Sequence, residues 1–492
     1  MEEGLKQKTV RTLKWNTIDR VSSQLIYAVT GVILANILSP EDFGLVGALL
    51  VFQAFAILFV DSGFGAALLQ RKAPTEKDYT TVFWFNLFVS ILIYTILYLS
   101  APLIADIFQG DHRLIPLSRV MFLTFILNGL SIVQTNRLMK QMDVKRIAVA
   151  NIVGLVVSGA IGIRLALSGA GAWALVWQYI AMAAIKTIWL WLTGGWFPRT
   201  GFHLDSLKKI WRIGLSVFSS SALNTLFQYI YSLIIGAFYT LTSLGFYTQA
   251  DKWSKMGSAS ISQIMTSSFV PLLSKVQDDS ERFNRYVTKI NRFSGFLLFP
   301  VMIGIGALGQ PLFHALFGSR WDAAIILFQI LTIRGIFVVL ISLYSNYLLA
   351  LGYGKRLFII EAVKDLMIIL AVISTVWFNS VPLLVWGQFW ASLATYAISL
   401  WILCKATGFR PTRMLCDLLP SFFAAAIASV MPLIMIYSGL FDSIESIRLR
   451  GCLQLVIGFI SGFGIYLSLC HAFRIGEMSE AFAYLFRSRQ KH

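Results

Sequence analysis

The membrane character of this chain is clearest in residues 323–350, AAIILFQILTIRGIFVVLISLYSNYLLA. Within this stretch only Arg334 carries a charge. A helix needs about 20 apolar residues to cross the hydrocarbon core of a bilayer, which is about 30 Å thick. The stretch therefore predicts a membrane-spanning helix with an arginine near its middle.

Similar apolar runs recur along the 492 residues, and about fourteen are long enough to span a bilayer. Hydrophobic residues make up 57% of the chain and charged residues 13%, about half the charged share of a soluble domain. The composition predicts an all-α polytopic membrane protein and leaves no room for a soluble catalytic domain. The predicted spans are 15–38, 43–70, 78–107, 114–141, 143–168, 170–193, 204–238, 241–275, 281–308, 322–352, 354–378, 380–405, 413–438 and 444–473.

The net charge of +17 has a topological interpretation. With the N-terminus inside, thirty Lys and Arg residues fall on the inner side of the predicted spans and four on the outer side. Positive residues concentrate on the cytoplasmic side of membrane proteins, so both termini are predicted to be cytoplasmic. The basic excess then needs no nucleic-acid partner, and the first apolar run is expected to remain as a helix rather than serve as a cleaved signal.

Two turns between spans carry helix-start signals. Ser39 precedes a proline and two acids, and Thr75 precedes Asp78 by three residues, which is the spacing of a capping box. The acids Glu41 and Asp42 of the first turn would also suit a metal-dependent enzyme. The capping interpretation is favoured, because a membrane glycosyltransferase, polymerase or ligase would need a larger outer loop. No metal or other cofactor is predicted, since the four Cys lack CxxC spacing and there is no GxxxxGK[ST] motif.

The first six spans and the next six resemble each other. The offsets between matching segments stay between 201 and 210, and an even number of helices between the copies makes them parallel, as in two-lobed transporters. The matches are 32–35 with 233–236, 43–45 with 244–246, 102–108 with 311–317, and Asn136 with Asn346. We expect an N-terminal lobe over 1–200, a C-terminal lobe over 201–407, and two further helices with a cytoplasmic tail over 408–492.

Polar residues line one side of several spans at helical spacing. Arg20 and Tyr27 share an arc of span one, Asn224 lies in such an arc of span seven, and Asp251 and Lys255 begin a stripe on span eight that runs to Thr266. A polar stripe in a lipid-buried helix faces either water or a neighbouring helix. We expect these residues to line a chamber and to bind substrate.

Four more positions complete the candidate site. Arg334 lies about 18 Å along span ten, too deep for its side chain to reach the membrane surface, so it is a candidate for substrate binding together with Lys252 and Lys364. Asp61 and Glu361 are candidates for ion coupling. Alternatives stay open for most of them: Arg20 can extend to the inner interface, Asp251 and Lys255 can neutralise each other, and Asp61 can cap a helix locally. The slight excess of positive charge favours an anionic substrate such as a phosphate or diphosphate.

Several segments resemble the polysaccharide transporter (Wzx-type flippase) family of the multidrug/oligosaccharidyl-lipid/polysaccharide superfamily. They are LSPEDFGL at 38–45, DSGFGAALLQRK at 61–72, TVFWFN at 81–86 and FYTQADK at 246–252. The resemblance implies two six-helix lobes around a cavity formed largely by spans one, two, seven and eight.

The same resemblance implies a function. The expected substrate is an undecaprenyl-diphosphate-linked oligosaccharide, carried by alternating access across a bacterial inner membrane for surface polysaccharide synthesis. Besides this lipid and the bilayer, a polysaccharide polymerase and the chain-length machinery are expected partners. A cation-coupled drug exporter and a peptidoglycan-precursor flippase are the alternatives, and a drug exporter would favour an acidic cavity over a basic one.

Overall fold

The computed structural model describes residues 2–61, 64–71, 73–277, 279–473 and 475–476. Within these ranges the chain forms nineteen α-helices and two short 3₁₀ helices, with no strand. The helices are α1 Glu2–Ile37, α2 Pro40–Asp61, α3 Phe64–Gln70, α4 Glu76–Leu99, α5 Ala101–Ile107, α6 Leu114–Met121, α7 Leu123–Lys140, α8 Val144–Leu167, α9 Ala172–Gly194, α10 Leu204–Phe238, α11 Leu241–Ser274, α12 Ser280–Ala307, α13 Gly309–Phe317, α14 Asp322–Ala350, α15 Gly354–Thr375, α16 Val381–Thr407, α17 Pro411–Cys416, α18 Leu419–Tyr437 and α19 Ile447–Ala472.

The predicted all-α membrane fold is confirmed, and each predicted span overlaps one long helix or a pair of consecutive helices. In the described ranges, twelve helical segments are long and apolar enough to cross a bilayer. α11 and α15 are the two long helices outside this set, and both carry clusters of charged side chains. Composition alone therefore places these two helices less firmly in lipid than the twelve segments.

Both predicted helix starts are confirmed by reciprocal hydrogen bonds. The Ser39 backbone N–H donates to Oδ2 of Asp42 at 2.9 Å, and the Asp42 N–H donates back to Ser39 Oγ at 3.2 Å. Thr75 and Asp78 form the same capping box at the start of α4. Asp42 is therefore engaged in holding the first turn of α2.

The chain divides by packing into two compact units, unit 1 (Met1–Gly245) and unit 2 (Phe246–His492). The division lies within α11, beyond the repeat boundary predicted near residue 200, because α10 packs against α2, α3 and α4 of unit 1. Aromatic rings make much of this contact: Phe218 lies 4.8 Å from Phe59, and Trp211 lies 5.8 Å from Phe64 between ring centroids. The lobe boundary drawn from the repeat stays a prediction.

Two copies of one repeat motif meet inside unit 1. A Cβ built on Gly44 would lie 1.8 Å from the carbonyl oxygen of Leu241, and a Cβ built on Gly245 would lie 1.8 Å from that of Pro40. The contact is reciprocal at a constant offset of 201 residues, which is the offset of the sequence match. Only glycine permits this approach, because any side chain would overlap the facing backbone.

Unit 2 has a polar network inside its apolar core. The Asn291 side chain, fully buried on α12, donates to the Met414 carbonyl at 2.9 Å, and the Tyr344 hydroxyl lies 3.4 Å from both Asn291 Oδ1 and the Tyr396 hydroxyl. α18 packs on α12, and α19 packs on α13 and α18. The two additional C-terminal spans are thus built into unit 2.

Candidate substrate site

In unit 1, α1 presents an exposed polar face. Arg20 is exposed and forms no ion pair with any described residue, and Tyr27 is also exposed. The Tyr27 hydroxyl shares a hydrogen bond with Tyr179 of α9, and Tyr229 of α10 lies close enough to interact electrostatically. The arc predicted from spacing therefore places a guanidinium and hydroxyl groups on one surface, a combination suited to phosphate and sugar.

The sequence analysis missed a carboxylate next to this face. Asp19 accepts hydrogen bonds from Asn151 of α8 at 3.0 Å and from Ser23 at 3.2 Å. Lys186 of α9 is half-buried and interacts electrostatically with Asp19. The i, i+4 spacing of Asp19 and Ser23 was a visible signal, but the contacts with α8 and α9 depend on tertiary packing.

Two more predicted residues belong to unit 1. Asn224 of α10 is exposed, as a chamber-lining residue must be. Asp61 ends α2, and its side chain lies outside the described part of the structure. Its assignment to ion coupling stays a prediction.

The part of α11 that lies in unit 2 carries a paired charge. Lys255 Nζ lies 2.6 Å from Asp251 Oδ2, and the lysine side chain keeps 44% of its surface exposed against 18% for the aspartate. Lys252 points away from this pair and lies 5.7 Å above the ring of Trp253. The i, i+4 alternative thus describes the observed geometry, although the lysine still reaches an exposed surface.

The inner half of the α11 stripe packs against α14. Ser262 donates to Ser342 at 3.2 Å, and Thr266 accepts from Asn346 at 2.9 Å. A Cβ built on Gly335 would lie 3.2 Å from Cβ of Ser258, so that serine packs closely there. In this half the hydroxyls join two helices, and the water-facing stripe stays a prediction.

Arg334 of α14 is a half-buried guanidinium deep in the bundle. Its Nε donates to Ser392 Oγ of α16 at 2.9 Å, and Ser392 in turn donates to the Gln388 carbonyl at 3.0 Å. No described carboxylate pairs with it. Because a neutral hydroxyl holds the side chain without cancelling its charge, the guanidinium retains donors for an anion.

The cluster on α15 is self-contained. Lys364 pairs with Glu361, three residues earlier, and its Nζ lies 3.8 Å from Asp365. The two carboxylates outnumber the ammonium group. The geometry brings the predicted residues together as a local network, and their roles toward substrate or ions stay predictions.

An apolar cavity of about 480 Å³ opens in unit 2 between α12, α18 and α19. Glycine and alanine residues leave the space open, and aromatic rings form part of its lining. The residues that line it include Phe296, Pro300, Gly304, Gly458, Phe459 and Gly462. The cavity fits a hydrocarbon chain, and the sequence analysis had assigned no role to the two helices that form half of it.

The loop between α5 and α6 carries an ion-pair network. Arg113 pairs with Glu41 and with Asp111, and its backbone N–H also donates to Asp111 Oδ1 at 2.9 Å. The hydrogen bonds from Arg113 hold the pKa of the Asp111 carboxyl below its usual value. Glu41, like Asp42, is thus engaged structurally, and no group of three His, Cys, Asp or Glu side chains suited to a metal occurs among the described residues.

Comparison with known proteins defines the family. Residues 33–326, more than half of the chain, match the family described as polysaccharide biosynthesis protein. The chain belongs to this family. The resemblance drawn from the sequence is thereby confirmed.

Relatives of this family member cover most of its length. The teichuronic acid biosynthesis protein TuaB of Bacillus subtilis is 26% identical over 93% of this chain and 94% of its own. The succinoglycan biosynthesis transport protein ExoT of Rhizobium meliloti is 26% identical, covering 73% and 72%. The lipopolysaccharide biosynthesis protein WzxC of Escherichia coli is 25% identical, covering 68% of each.

Solved structures share the fold. The lipid II flippase MurJ in an inward closed conformation superposes with a TM-score of 0.75 at 14% identity, covering 93% of this chain and 98% of its own. An inward-facing multidrug transporter of the MATE family gives 0.60 at 15% identity, covering 78% and 95%. This member of the polysaccharide biosynthesis family is a multi-pass membrane protein that shares the fold of these two solved transporters.

Proposed function

We propose that this protein moves undecaprenyl-diphosphate-linked oligosaccharide repeat units across the bacterial inner membrane by alternating access, for O-antigen, capsule or exopolysaccharide synthesis. The observation that carries the proposal is Arg334, a half-buried guanidinium within the spans whose charge no described carboxylate cancels. Such a group is costly in lipid and finds its partner in an anionic substrate. The family membership supplies the polysaccharide context.

The charged residues take separate parts in this proposal. Arg20, Lys255 and Arg334 bind phosphate oxygens, and Lys252 and Lys364 are assigned to the substrate beside them. Tyr27, Asn224 and Asp251 are suited to sugar hydroxyls, because each offers hydrogen-bonding oxygen or nitrogen atoms. Asp61 and Glu361 are assigned to ion coupling.

The isoprenoid tail lies, in this proposal, along the apolar cavity of α12, α18 and α19. The cavity volume of about 480 Å³ and its apolar wall support this placement. A tail kept in a hydrocarbon-like groove never has to enter water while the headgroup crosses. The two C-terminal spans would then serve the lipid part of the substrate.

Alternating access is supported by the glycine contact in unit 1. Gly44 and Gly245 bring the first turns of α2 and α11 into backbone contact, at ends predicted to face the periplasm. Opening toward that side requires these turns to separate. Both termini in the cytoplasm, the inner-membrane location and the polymerase as a downstream partner belong to the same proposal.

Deletion of the gene tests the function. The lipid extract of the deletion strain should accumulate an undecaprenyl-diphosphate carrying a complete oligosaccharide repeat, and the surface polymer should disappear while the sugar-assembling enzymes stay active. Accumulation of a peptidoglycan precursor instead would assign the chain to that alternative substrate. Normal polymer with no accumulated intermediate would contradict the proposal.

A further inference from the structure

A small basic cleft lies in unit 1, where the start of α1 meets the turn between α7 and α8. Its volume is about 190 Å³. Three basic residues, Lys8, Arg11 and Lys145, line it beside the indole of Trp15. None of them belongs to the substrate site assigned above, so the cleft needs an explanation of its own.

One wall of the cleft is a single face of α1. Lys8, Arg11 and Trp15 follow each other at i, i+3 and i+7, and side chains at this spacing project from the same side of a helix. Lys8 and Arg11 are exposed, whereas Trp15 is half-buried. This face therefore presents two charged groups next to an aromatic ring.

The other wall is the turn that ends α7, and Met142 shapes it. Met142 has a φ of +59°, in the left-handed region that glycine usually occupies after a helix. The N–H of Asp143 donates to the Leu138 carbonyl at 2.9 Å, and that of Met142 donates to the Met139 carbonyl at 3.0 Å. Gly352 has the equivalent position in the second repeat copy, 210 residues later, with the same pair of bonds. In unit 1 a methionine thus stands where glycine would fit without strain, and it forms part of the cleft lining.

Two contacts join the walls to each other. The Thr12 hydroxyl of α1 donates to the Met142 carbonyl at 3.1 Å. Lys145, in the first turn of α8, holds its Nζ 5.6 Å from the centre of the Trp15 ring. A cleft with joined walls binds a ligand without first having to order them.

The lining of the cleft is net positive. Its single acidic residue, Asp143, forms a 3.0 Å ion pair with Arg146, which lies outside the lining. Among the described residues no carboxylate pairs with Lys8, Arg11 or Lys145, and all three side chains are exposed. The aromatic ring next to Lys145 leaves the charge of the ammonium group in place. A topological role needs basic residues on the inner side of the spans but does not need them to converge on one cleft.

The position of the cleft indicates a ligand at the membrane surface. The membrane-length apolar segments Arg11–Ile37 and Val144–Leu167 both begin at the cleft, at ends that the distribution of Lys and Arg predicts to be cytoplasmic. Tryptophan is enriched at this level of a membrane, and basic pockets between spanning helices bind anionic lipid headgroups there. The combination of three cations and an indole suits the phosphate of such a lipid.

We propose that this cleft binds the phosphate of an anionic phospholipid of the inner leaflet. Arg11 of α1 and Lys145 of α8 contact the phosphate from two helices, and Lys8 adds its charge from the preceding turn of α1. The bound lipid joins the start of α1 to α8 and so holds the helix that carries Arg20 and Tyr27. The inference does not depend on the substrate proposed above, because the lipid stays in its leaflet.

Native mass spectrometry of the full chain in detergent tests the site with phosphatidylglycerol as the probe. The lipid should form a one-to-one adduct, and Arg11→Gln with Lys145→Gln should raise the Kd of this adduct by about tenfold or more. Lys14→Gln with Lys77→Gln removes the same charge from exposed positions that do not line the cleft, and it should bind as the parent does. Arg11→Lys with Lys145→Arg keeps the charge and should also bind as the parent does.

The contrary outcomes separate the parts of the proposal. Unchanged binding after loss of Arg11 and Lys145, or an equal loss in the Lys14 and Lys77 variant, would overturn the cleft as the site. Equal binding of phosphatidylcholine would overturn the preference for an anionic lipid. Full displacement of phosphatidylglycerol by an equal concentration of inorganic phosphate would assign the cleft to free phosphate and overturn the lipid assignment. The lipid intermediate of the deletion strain reports on the proposed function separately.

Discussion

α1 of unit 1 and α11 of unit 2 carry polar side chains at the same helical spacing, yet the two faces do different things. The α1 face keeps Arg20 and Tyr27 exposed. The α11 face splits: Asp251 and Lys255 pair at one end, while Ser262 and Thr266 hydrogen-bond to α14 at the other. Spacing alone therefore identifies a polar face but does not distinguish a wet surface from a helix contact, because both need the same periodicity.

The largest effect is expected from removing the guanidinium of Arg334 in unit 2. Arg334→Ala should reduce polymer export at least tenfold, because the substrate anion loses its buried partner, and Arg334→Lys should retain part of it, because lysine keeps the charge without the two-pronged geometry. Export is measured as surface polymer in a deletion strain at matched protein level. Arg20→Ala is the matched change on α1, and full export in both alanine variants would remove these residues from the substrate site.

The next test concerns the contact between the repeat copies. Gly44→Ala and Gly245→Ala should each destabilise unit 1, by about 1–3 kcal/mol, because the new methyl group lies on a facing carbonyl. Thermal unfolding in nanodiscs measures the change. Gly304→Ala in unit 2 is the control, since its Cβ would meet nothing within 4 Å. Equal stability of all three variants would contradict the close approach of α2 and α11.

An exchange of the two charges of the Asp251–Lys255 pair distinguishes a structural role of the pair from substrate binding by Lys255. Exchange of the two charges, Asp251→Lys with Lys255→Asp, keeps the ion pair but moves the ammonium group by one turn. If Lys255 binds phosphate, the exchange should lower export several-fold while thermal stability stays close to that of the parent. Restoration of normal export by the exchange, after loss in each single variant, would mean that the pair is only structural.

Features set by residues close together in the sequence can be predicted from it, whereas features set by contacts between distant helices cannot. Span positions follow from apolar length, and the Ser39 and Thr75 caps follow from side chains three residues apart, so both are readable locally. Two tertiary contacts cannot be predicted locally: the packing of α10 against α2, α3 and α4, and the hydrogen bond from Asn151 to Asp19. Hydrophobic periodicity shows which face of a helix is buried but does not show which helix packs against it.

A weaker effect is expected where the α11 face joins α14. Ser262→Ala should lower stability by about 0.6 kcal/mol, which is typical of a hydrogen bond between membrane helices, and should leave export unchanged. Ser342→Ala removes the same bond from the other side. The double variant should therefore cost no more than either single one. A large export defect in Ser262→Ala at normal stability would return this half of α11 to the substrate surface.

The smallest effect on thermal stability is expected for substitutions in the loop between α5 and α6 of unit 1. Because Arg113 holds the pKa of Asp111 below its usual value, the ionised carboxylate stabilises the fold above about pH 4 and loses this effect as the pH falls further and it gains a proton. Asp111→Asn should therefore unfold at a lower temperature than the parent at pH 6, and the difference should shrink at pH 3. A difference independent of pH would contradict an ionic role for Asp111. Asp442→Asn tests the outer ion pair of unit 2 in the same assay.

Reconstitution tests the central claim most directly. Purified protein in liposomes that contain a lipid-diphosphate-linked oligosaccharide is mixed with a glycosidase confined to the outside. The account predicts that the parent protein exposes the inner-leaflet sugar to the enzyme, so that cleavage passes from half of the lipid toward all of it, and that Arg334→Ala stops near half. Cleavage that stays near half with the parent protein, or is complete with Arg334→Ala, would contradict transport through a site built on this arginine.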